Sequence, residues 1–432
     1  MLKQRKVKIA FVAALGVSAL LFGVGLPLTL NLLAQREGSD DLVEGTARLT
    51  QINSLRSLPA AQRTAKLEKI ASKQSPDSNR ARYLLGSDLL QQGHGKKALE
   101  QLQGLEKNYP LLAPYVLKRQ AQAYRQMGDQ SKEAATWQEL LQQHPQDPVA
   151  AEALVELGQQ DPRQGERAIA QFPAHPQTIN LVQQRLKQNP NQPRLLLVLA
   201  RHGYYLQNYL TVLDRLVNQH ANQLTPQDWE AIAFGYWEKQ QYGKAGAAYA
   251  RAPYTARNAY RVARGLQLGE RGGATQAYQR VVNDFPKAQE TSLALLRLSR
   301  LVSPNAAMAY LDKLISQFPV KAGEALLEKV KIYEQANNQS AAQQIRQVLL
   351  SRFSKSEAAA EVRWQLAQER AEANDFKAAR QWAEQILSQN PASEFAPEAG
   401  FWAGKWMNRM GKQQEAKQAY ERVLRQYPES YY

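Results

Sequence analysis

The stretch "RARYLLGSDLLQQGHGKKALEQLQGLEKNYP", residues 80–110, decides the fold. Apolar residues recur in it at helical spacing, and Gly93 interrupts them near the middle. Small residues also stand at Gly86 and Ala98, and Pro110 closes the stretch. This order predicts two antiparallel helices joined by a tight turn.

The same landmarks recur along the chain. Gly128 follows Gly93, and Pro145 follows Pro110, by the same interval of 35 residues. A helix–turn–helix unit of about 34 residues is typical of tetratricopeptide repeats. The later landmarks are Trp229, Ala245, Tyr249, Gly269, Ala274, Tyr278, Pro286, Gly404, Gly411, Ala416, Tyr420 and Pro428. The sequence therefore predicts an all-α, tetratricopeptide-like α-solenoid over residues 79–432, with degenerate repeats between Pro145 and Pro226.

Each landmark type has a physical role in such a unit. Glycine in the turn gives the backbone conformational freedom, and alanine lets neighbouring helices approach closely. Proline ends the second helix because it lacks the backbone N–H that a helix needs. One helix pair cannot bury its apolar stripe alone, so successive pairs are expected to stack.

Composition limits the chemistry of the chain. It has 432 residues and no cysteine, which excludes disulfides, thiolate metal sites and a cysteine nucleophile. Its formal net charge is +16, which favours polyanionic partners such as nucleic acid, anionic lipid or an acidic wall polymer.

The N-terminal segment predicts a membrane anchor. Four basic residues precede an apolar run that has no charged residue from Ile9 to Gln35. Such a run can span a bilayer as a helix, although a cleaved signal peptide is the alternative. Residues 1–36 are thus predicted to be a cytoplasmic basic tip and a transmembrane signal-anchor, and residues 37–78 a linker with a lead-in helix. The positive-inside rule predicts a single-pass inner-membrane protein with exported repeats, which makes nucleic acid an unlikely partner.

No motif predicts a catalytic residue, a metal site or a cofactor. The five histidines form no close ligand pair, and "GHGKK" (93–97) and "GERGG" (269–273) fit turns between helices better than phosphate-binding loops. Two interpretations stay open for the tryptophans, which are either core residues or rings that line the concave face and stack on a sugar or a partner. The six in question are Trp229, Trp237, Trp364, Trp382, Trp402 and Trp406.

The segment "EAGFWAGKWMNRMGKQQEAKQAYERVLRQYPESYY", residues 398–432, resembles the last helical pair of the superhelical region in soluble lytic transglycosylases. The residues that carry the resemblance are Phe401, Trp402, Gly404, Gly411, Ala416, Tyr427, Pro428, Ser430, Tyr431 and Tyr432. The resemblance implies peptidoglycan as the substrate class, and a lysozyme-like catalytic domain placed after this point. Because no such fold follows Glu429 in this sequence, Glu429 is not expected to act as a general acid.

Two functions are consistent with these observations. One is a membrane-anchored scaffold of the cell envelope that binds peptidoglycan or positions a wall enzyme on it. The other is a general tetratricopeptide adaptor, whose concave face receives a protein segment in an assembly or secretion complex.

Overall fold

The computed structural model describes residue 52, residues 54–55, residues 57–73 and residues 75–432. Every regular element with defined bounds in these ranges is a helix, which confirms the all-α prediction. The predicted membrane helix within residues 1–36 lies outside them. Within the ranges described, no helix is both long enough and apolar enough to cross a membrane.

The chain divides into two compact units, Met1–Gln188 and Asn189–Tyr432. The described helices of the first unit pack against one another in chain order. They are α1 (Ala60–Ala71), α2 (Pro76–Gln91), α3 (Gly95–Leu102), α4 (Leu105–Asn108), α5 (Ala113–Gln126), α6 (Gln130–Gln143), α7 (Val149–Leu157), α8 (Pro162–Gln171) and α9 (Pro176–Gln188), with a 3-10 turn at Pro110–Leu112.

The second unit is a longer stack of helix pairs. Its first helices are α10 (Pro193–His202), α12 (Pro226–Glu238), α14 (Ala256–Leu268), α16 (Gln289–Ser299), α18 (Ala322–Gln335), α20 (Glu357–Glu372) and α22 (Ala396–Arg409). Its second helices are α11 (Tyr209–Gln219), α13 (Tyr242–Tyr249), α15 (Ala274–Asp284), α17 (Pro304–Gln317), α19 (Gln339–Arg352), α21 (Phe376–Gln389) and α23 (Gln413–Gln426). Short 3-10 turns occupy Ala221–Gln223 and Pro319–Lys321.

Contacts between first helices give the second unit its layered order. Besides packing on its own partner, α10 contacts α12, α14 contacts α16, and α20 contacts both α18 and α22. The first helices therefore form one layer in which side chains from successive repeats meet. The apolar core lies between this layer and the second helices, with clusters that extend from Ala259 to Ala325 and from Ala360 to Trp406.

The turn inside a helix pair places one residue in the left-handed region. Glycine occupies this position at Gly93, Gly128 and Gly411, where φ is 80°, 76° and 77°. Other repeats use residues with side chains, namely Gln240, Glu270, Asn337 and Asn374. In most of these turns the next residue is the N-cap of the second helix, as Asp129 is for α6. The turn geometry therefore recurs even where glycine does not.

Glycine has a different role where α13 meets α14. A Cβ atom on Gly265 would lie 2.7 Å from the Gly246 Cα, and a Cβ atom on Gly269 would lie 2.8 Å from the Gly243 Cα. Both distances are shorter than van der Waals contact, so any side chain would push the two backbones apart. The packing of one repeat on the next depends here on glycine on both helices.

This contact predicts that Gly265→Ala lowers the free energy of unfolding by about 1–3 kcal/mol through overpacking. The measurement is chemical denaturation of the full-length protein, followed by circular dichroism. Gly272→Ala is the matched control, because a Cβ atom there meets nothing within 4 Å and the φ of Gly272 is not in the left-handed region. Equal losses of stability in the two variants would contradict the close-contact explanation.

Candidate functional site

A cleft of about 330 Å³ lies in the layer of first helices in the second unit. Trp237 of α12 lines one side of it, and Glu290 and Leu293 of α16 line the other. Between them α14 contributes Arg257, Tyr260, Arg261 and Arg264. The three arginines lie at positions i, i+4 and i+7, so they share one face of α14.

Arg261 is the central cation of the cleft. Its guanidinium group lies 4.5 Å from the centre of the Trp237 ring and 5.7 Å from that of Tyr249, at cation–π distance. Its Nη1 atom is buried and has no hydrogen-bond partner. The same holds for the Nε atoms of Arg346, Arg363 and Arg380, so an unpartnered donor does not by itself mark a binding residue.

Carboxylates do not neutralise these arginines. No described carboxylate forms an ion pair, at 4.0 Å or less, with Arg257, Arg261 or Arg264, although Glu290 lines the same cleft. Arg264 donates instead to the neutral Oε1 of Gln267 at 2.8 Å. The cleft is therefore a cationic surface.

Several other first-helix cations of the chain are paired. Lys118 on α5 reaches Glu152 on α7 at 2.6 Å, and Lys331 on α18 reaches Glu361 on α20 at 3.1 Å. Arg125 is held in the same way by Glu133 and Glu156, whose hydrogen bonds raise its pKa. Pairing between neighbouring first helices thus recurs in both units, and the cleft departs from it.

The aromatic rings of the cleft are already in contact with other groups. Trp237 packs edge-on against Tyr242 at 5.2 Å, and Tyr260 lies 5.8 Å from Tyr278. Burial raises the pKa of Tyr278 to about 12 and also raises the pKa of Tyr249. Both phenols are therefore neutral near pH 7, and the charge of the cleft comes from its arginines and Glu290.

The residues proposed as repeat landmarks occupy several kinds of position. Gly86 and Gly404 face a side chain of the second helix, Leu102 and Tyr420 respectively. A second group is buried inside the helix pairs and consists of Ala98, Trp229, Ala245, Tyr249, Tyr278 and Ala416. Ala274 is half-buried at the beginning of α15. Prolines stand two residues beyond a helix end at Pro110, Pro145, Pro286 and Pro428. Gly269 caps α14 with a negative φ, and the neighbouring Glu270 takes the left-handed conformation.

Packing explains most of the tryptophans. Trp229, Trp364 and Trp406 are buried, and the last two stack with their ring centres 6.1 Å apart. Trp382 and Trp402 are half-buried and pack against the same core cluster. Of the six rings, Trp237 is the one that lines the cleft.

The other motifs form no reactive cluster. "GHGKK" (93–97) leads from the turn into α3, and "GERGG" (269–273) joins α14 to α15. In the part of the chain that the structure describes, no three acidic or histidine side chains could hold a metal ion together. Glu429 lies exposed in the turn after α23.

The C-terminal segment packs against its own helix pair and contacts the preceding one. The ring of Phe401 lies 5.8 Å from that of Tyr420 and 5.7 Å from that of Tyr432. The Tyr427 hydroxyl donates to the Pro391 carbonyl at 2.9 Å. Burial and a hydrogen bond to Glu398 raise the pKa of Tyr432. Among the residues that resemble the transglycosylase segment, Phe401, Trp402, Tyr431 and Tyr432 thus form an aromatic cluster.

Sequence analysis did not identify the arginine cleft. One signal was present, since Arg257, Arg261 and Arg264 follow a helical period within "ARNAYRVARGLQL". On a helix of unknown surroundings, such a row of arginines is also typical of a solvated face. The features that distinguish the cleft are the neighbouring Trp237 and the absence of paired carboxylates. Both depend on other helices, which the sequence of α14 does not describe.

The tetratricopeptide repeat family model matches residues 115–147 and 398–430. These ranges cover the pairs α5–α6 and α22–α23. No curated protein matches the chain. The chain therefore contains tetratricopeptide repeats, and the two units are tetratricopeptide-like helical arrays.

Solved structures match the chain over most of its length at low sequence identity and low TM-score. A human IFIT1 dimer with PPP-AAAA is 15% identical, covering 84% of this chain and 94% of its own, with a TM-score of 0.29. The APC/C hetero-tetramer Cut9-Hcn1 is 14% identical over 86% of this chain and 85% of its own, with a TM-score of 0.28. Naa15/Naa10 bound to HypK-THB is 13% identical over 88% of this chain and 63% of its own, with a TM-score of 0.32.

Arg261, which is half-buried, and Arg363, which is buried, should respond differently to the same substitution. We expect Arg261→Met to change the free energy of unfolding by less than about 1 kcal/mol, because it removes cation–π contacts together with an unpartnered donor. Arg363→Met should cost about 1–3 kcal/mol. Arg363 is 2% exposed, and its guanidinium donates to the Ser354 carbonyl, the Asn390 Oδ1 and the Gln389 Oε1.

Thermal and urea unfolding of the two full-length variants and of the parent protein would measure the difference. A larger loss for Arg261→Met than for Arg363→Met would show that Arg261 is held in place for stability and would contradict its assignment to a binding surface.

Proposed function

We propose that the protein is a membrane-anchored helical-repeat scaffold of the cell envelope that positions a cell-wall enzyme by binding a segment of it. The observation that carries the binding role is the cleft between α12, α14 and α16. A partly exposed cationic face without carboxylate partners contributes little to the stability of the fold, whereas it offers a partner both charge and shape.

Three features of the sequence support the envelope location. The basic cluster before residues 9–35 favours export of the repeats. The net charge of +16 suits an anionic envelope. Residues 398–432 resemble the scaffold region of enzymes that act on peptidoglycan, and their aromatic cluster is compatible with that resemblance.

Direct binding of peptidoglycan is the second candidate, and the net positive charge is the observation that favours it. Sugar recognition commonly uses aromatic faces, and here Trp237 is covered by Arg261 and Tyr242. The cleft itself therefore supports a protein partner better than a glycan.

The proposed topology predicts that protease added to spheroplasts degrades the repeats, while an epitope tag placed before Lys3 stays protected. A cytoplasmic protein of the same cells serves as the control for intact membranes. Full protection of the repeats would refute the exported arrangement, and a mature N-terminus at Gln35 would show that the anchor is cleaved.

The proposed partner predicts a specific photo-crosslink. A benzophenone amino acid at Leu293, which lines the cleft, should capture a protein that mass spectrometry identifies as a wall-acting enzyme. The matched control carries the same group at Arg370, which is exposed on α20. Identical capture from both positions would contradict the proposal. The proposal would also be contradicted if the purified protein co-sedimented with sacculi tightly enough to explain its cellular localisation without a protein partner.

A further inference from the structure

We propose that the cleft between α12, α14 and α16 is a binding site for an acidic polypeptide segment, whose carboxylates are held by Arg257 and Arg261. The inference rests on the proposed function for the identity of the partner, but the chemistry of the site is independent of cellular location. It names the class of ligand that the proposed scaffold would recognise.

The charge of the cleft is the first argument. Three arginines on one face of α14 meet a single lining carboxylate, Glu290, and ion pairs with described residues are absent. Guanidinium groups offer a planar fork of donors that matches a carboxylate in two parallel hydrogen bonds. Arg257 is exposed and Arg261 half-buried at the cleft, so their guanidinium groups can meet a ligand carboxylate without breaking an intramolecular ion pair.

Spacing on the helix supplies the second argument. Arg257 and Arg261 are four residues apart, which places their Cβ atoms about 5–6 Å from each other. One short segment with neighbouring acidic residues can therefore engage both. Leu293 and Tyr260 provide apolar surface beside the guanidinium groups, and an extended segment can bury its side chains there.

The cleft fits a polypeptide better than a single-stranded nucleic acid. Proteins bind single strands by stacking the bases on free aromatic rings, and the Trp237 and Tyr260 rings are already in contact with other side chains. Glu290 opposes a ligand that carries a negative charge on every unit. A peptide can place neutral residues beside Glu290 and acidic residues beside the arginines.

The experiment is fluorescence polarisation with the full-length protein and a short fluorescein-labelled polyglutamate peptide. A polyglutamine peptide and a polyuridine oligonucleotide of equal length are the reference probes. We expect polyglutamate to bind more tightly than either reference. The double variant Arg257→Gln/Arg261→Gln should weaken polyglutamate binding by about tenfold or more.

Two further variants separate recognition from net charge. Arg261→Lys keeps the charge but loses the fork, and should give an intermediate loss. Arg370→Gln removes one exposed positive charge far along the chain from the cleft, and should change affinity by less than about twofold. Circular dichroism melts of each variant verify that the fold is retained.

Two outcomes would overturn the proposal. Equal weakening by the double variant and by Arg370→Gln would reduce the binding to non-specific attraction. Tighter oligonucleotide binding that is lost in the double variant would assign the cleft to nucleic acid. The binding assays use purified protein and do not depend on its location in the cell. Failure of the topology experiment would therefore not change the binding result, and the two failures are distinguishable.

Discussion

The repeat array depends on how closely neighbouring helix backbones approach each other. At the α13–α14 junction the approach is close, because Gly246 and Gly265 meet without side chains between them. Elsewhere alanine serves the same purpose, as at Ala98 and Ala416, which are buried inside their helix pairs. A larger residue at these sites would separate the helices and expose the apolar stripe that each pair buries against the next. The register of one repeat on another is therefore fixed by the smallest residues of the chain.

A fixed register also determines which charges meet. At several places in the layer of first helices a cation on one helix faces a carboxylate on the next, as with Lys118 and Glu152 or Lys331 and Glu361. Each such pair is partly exposed and contributes little to stability, but it leaves no cation available for a partner. At α14 the same register presents arginines without that compensation. The packing of the repeats thus creates both the neutralised surface and the cleft that interrupts it.

Much of the architecture could be predicted from sequence, because helical period, turn residues and helix-ending prolines are local signals. The prediction relied on glycine for the turns, whereas Gln240, Glu270, Asn337 and Asn374 adopt the same left-handed conformation. Their turns are formed because the packed helices on both sides impose them, at a local conformational cost that glycine would avoid. The arginine cleft could not be predicted, since it requires α12 and α16 to lie beside α14. For the tryptophans the sequence left a core and a concave-face interpretation open, and most of them are part of the core.

The absence of a carboxylate partner does not by itself mark a functional arginine, and Arg363 shows why. Burial lowers the pKa of Arg363, and no carboxylate forms an ion pair with it among the described residues. Yet it donates to Ser354, Gln389 and Asn390, so its hydrogen bonds tie neighbouring repeats together. Arg261 combines burial of Nη1 with no acceptor, and it stands in a cleft open to solvent. The Nε atom of Arg363 is also buried without an acceptor, so the two arginines differ in what the rest of each guanidinium group meets. Arg363 donates to three acceptors of the protein, whereas Arg261 stacks on aromatic rings beside a cleft. By that criterion the two arginines of one repeat array have different roles.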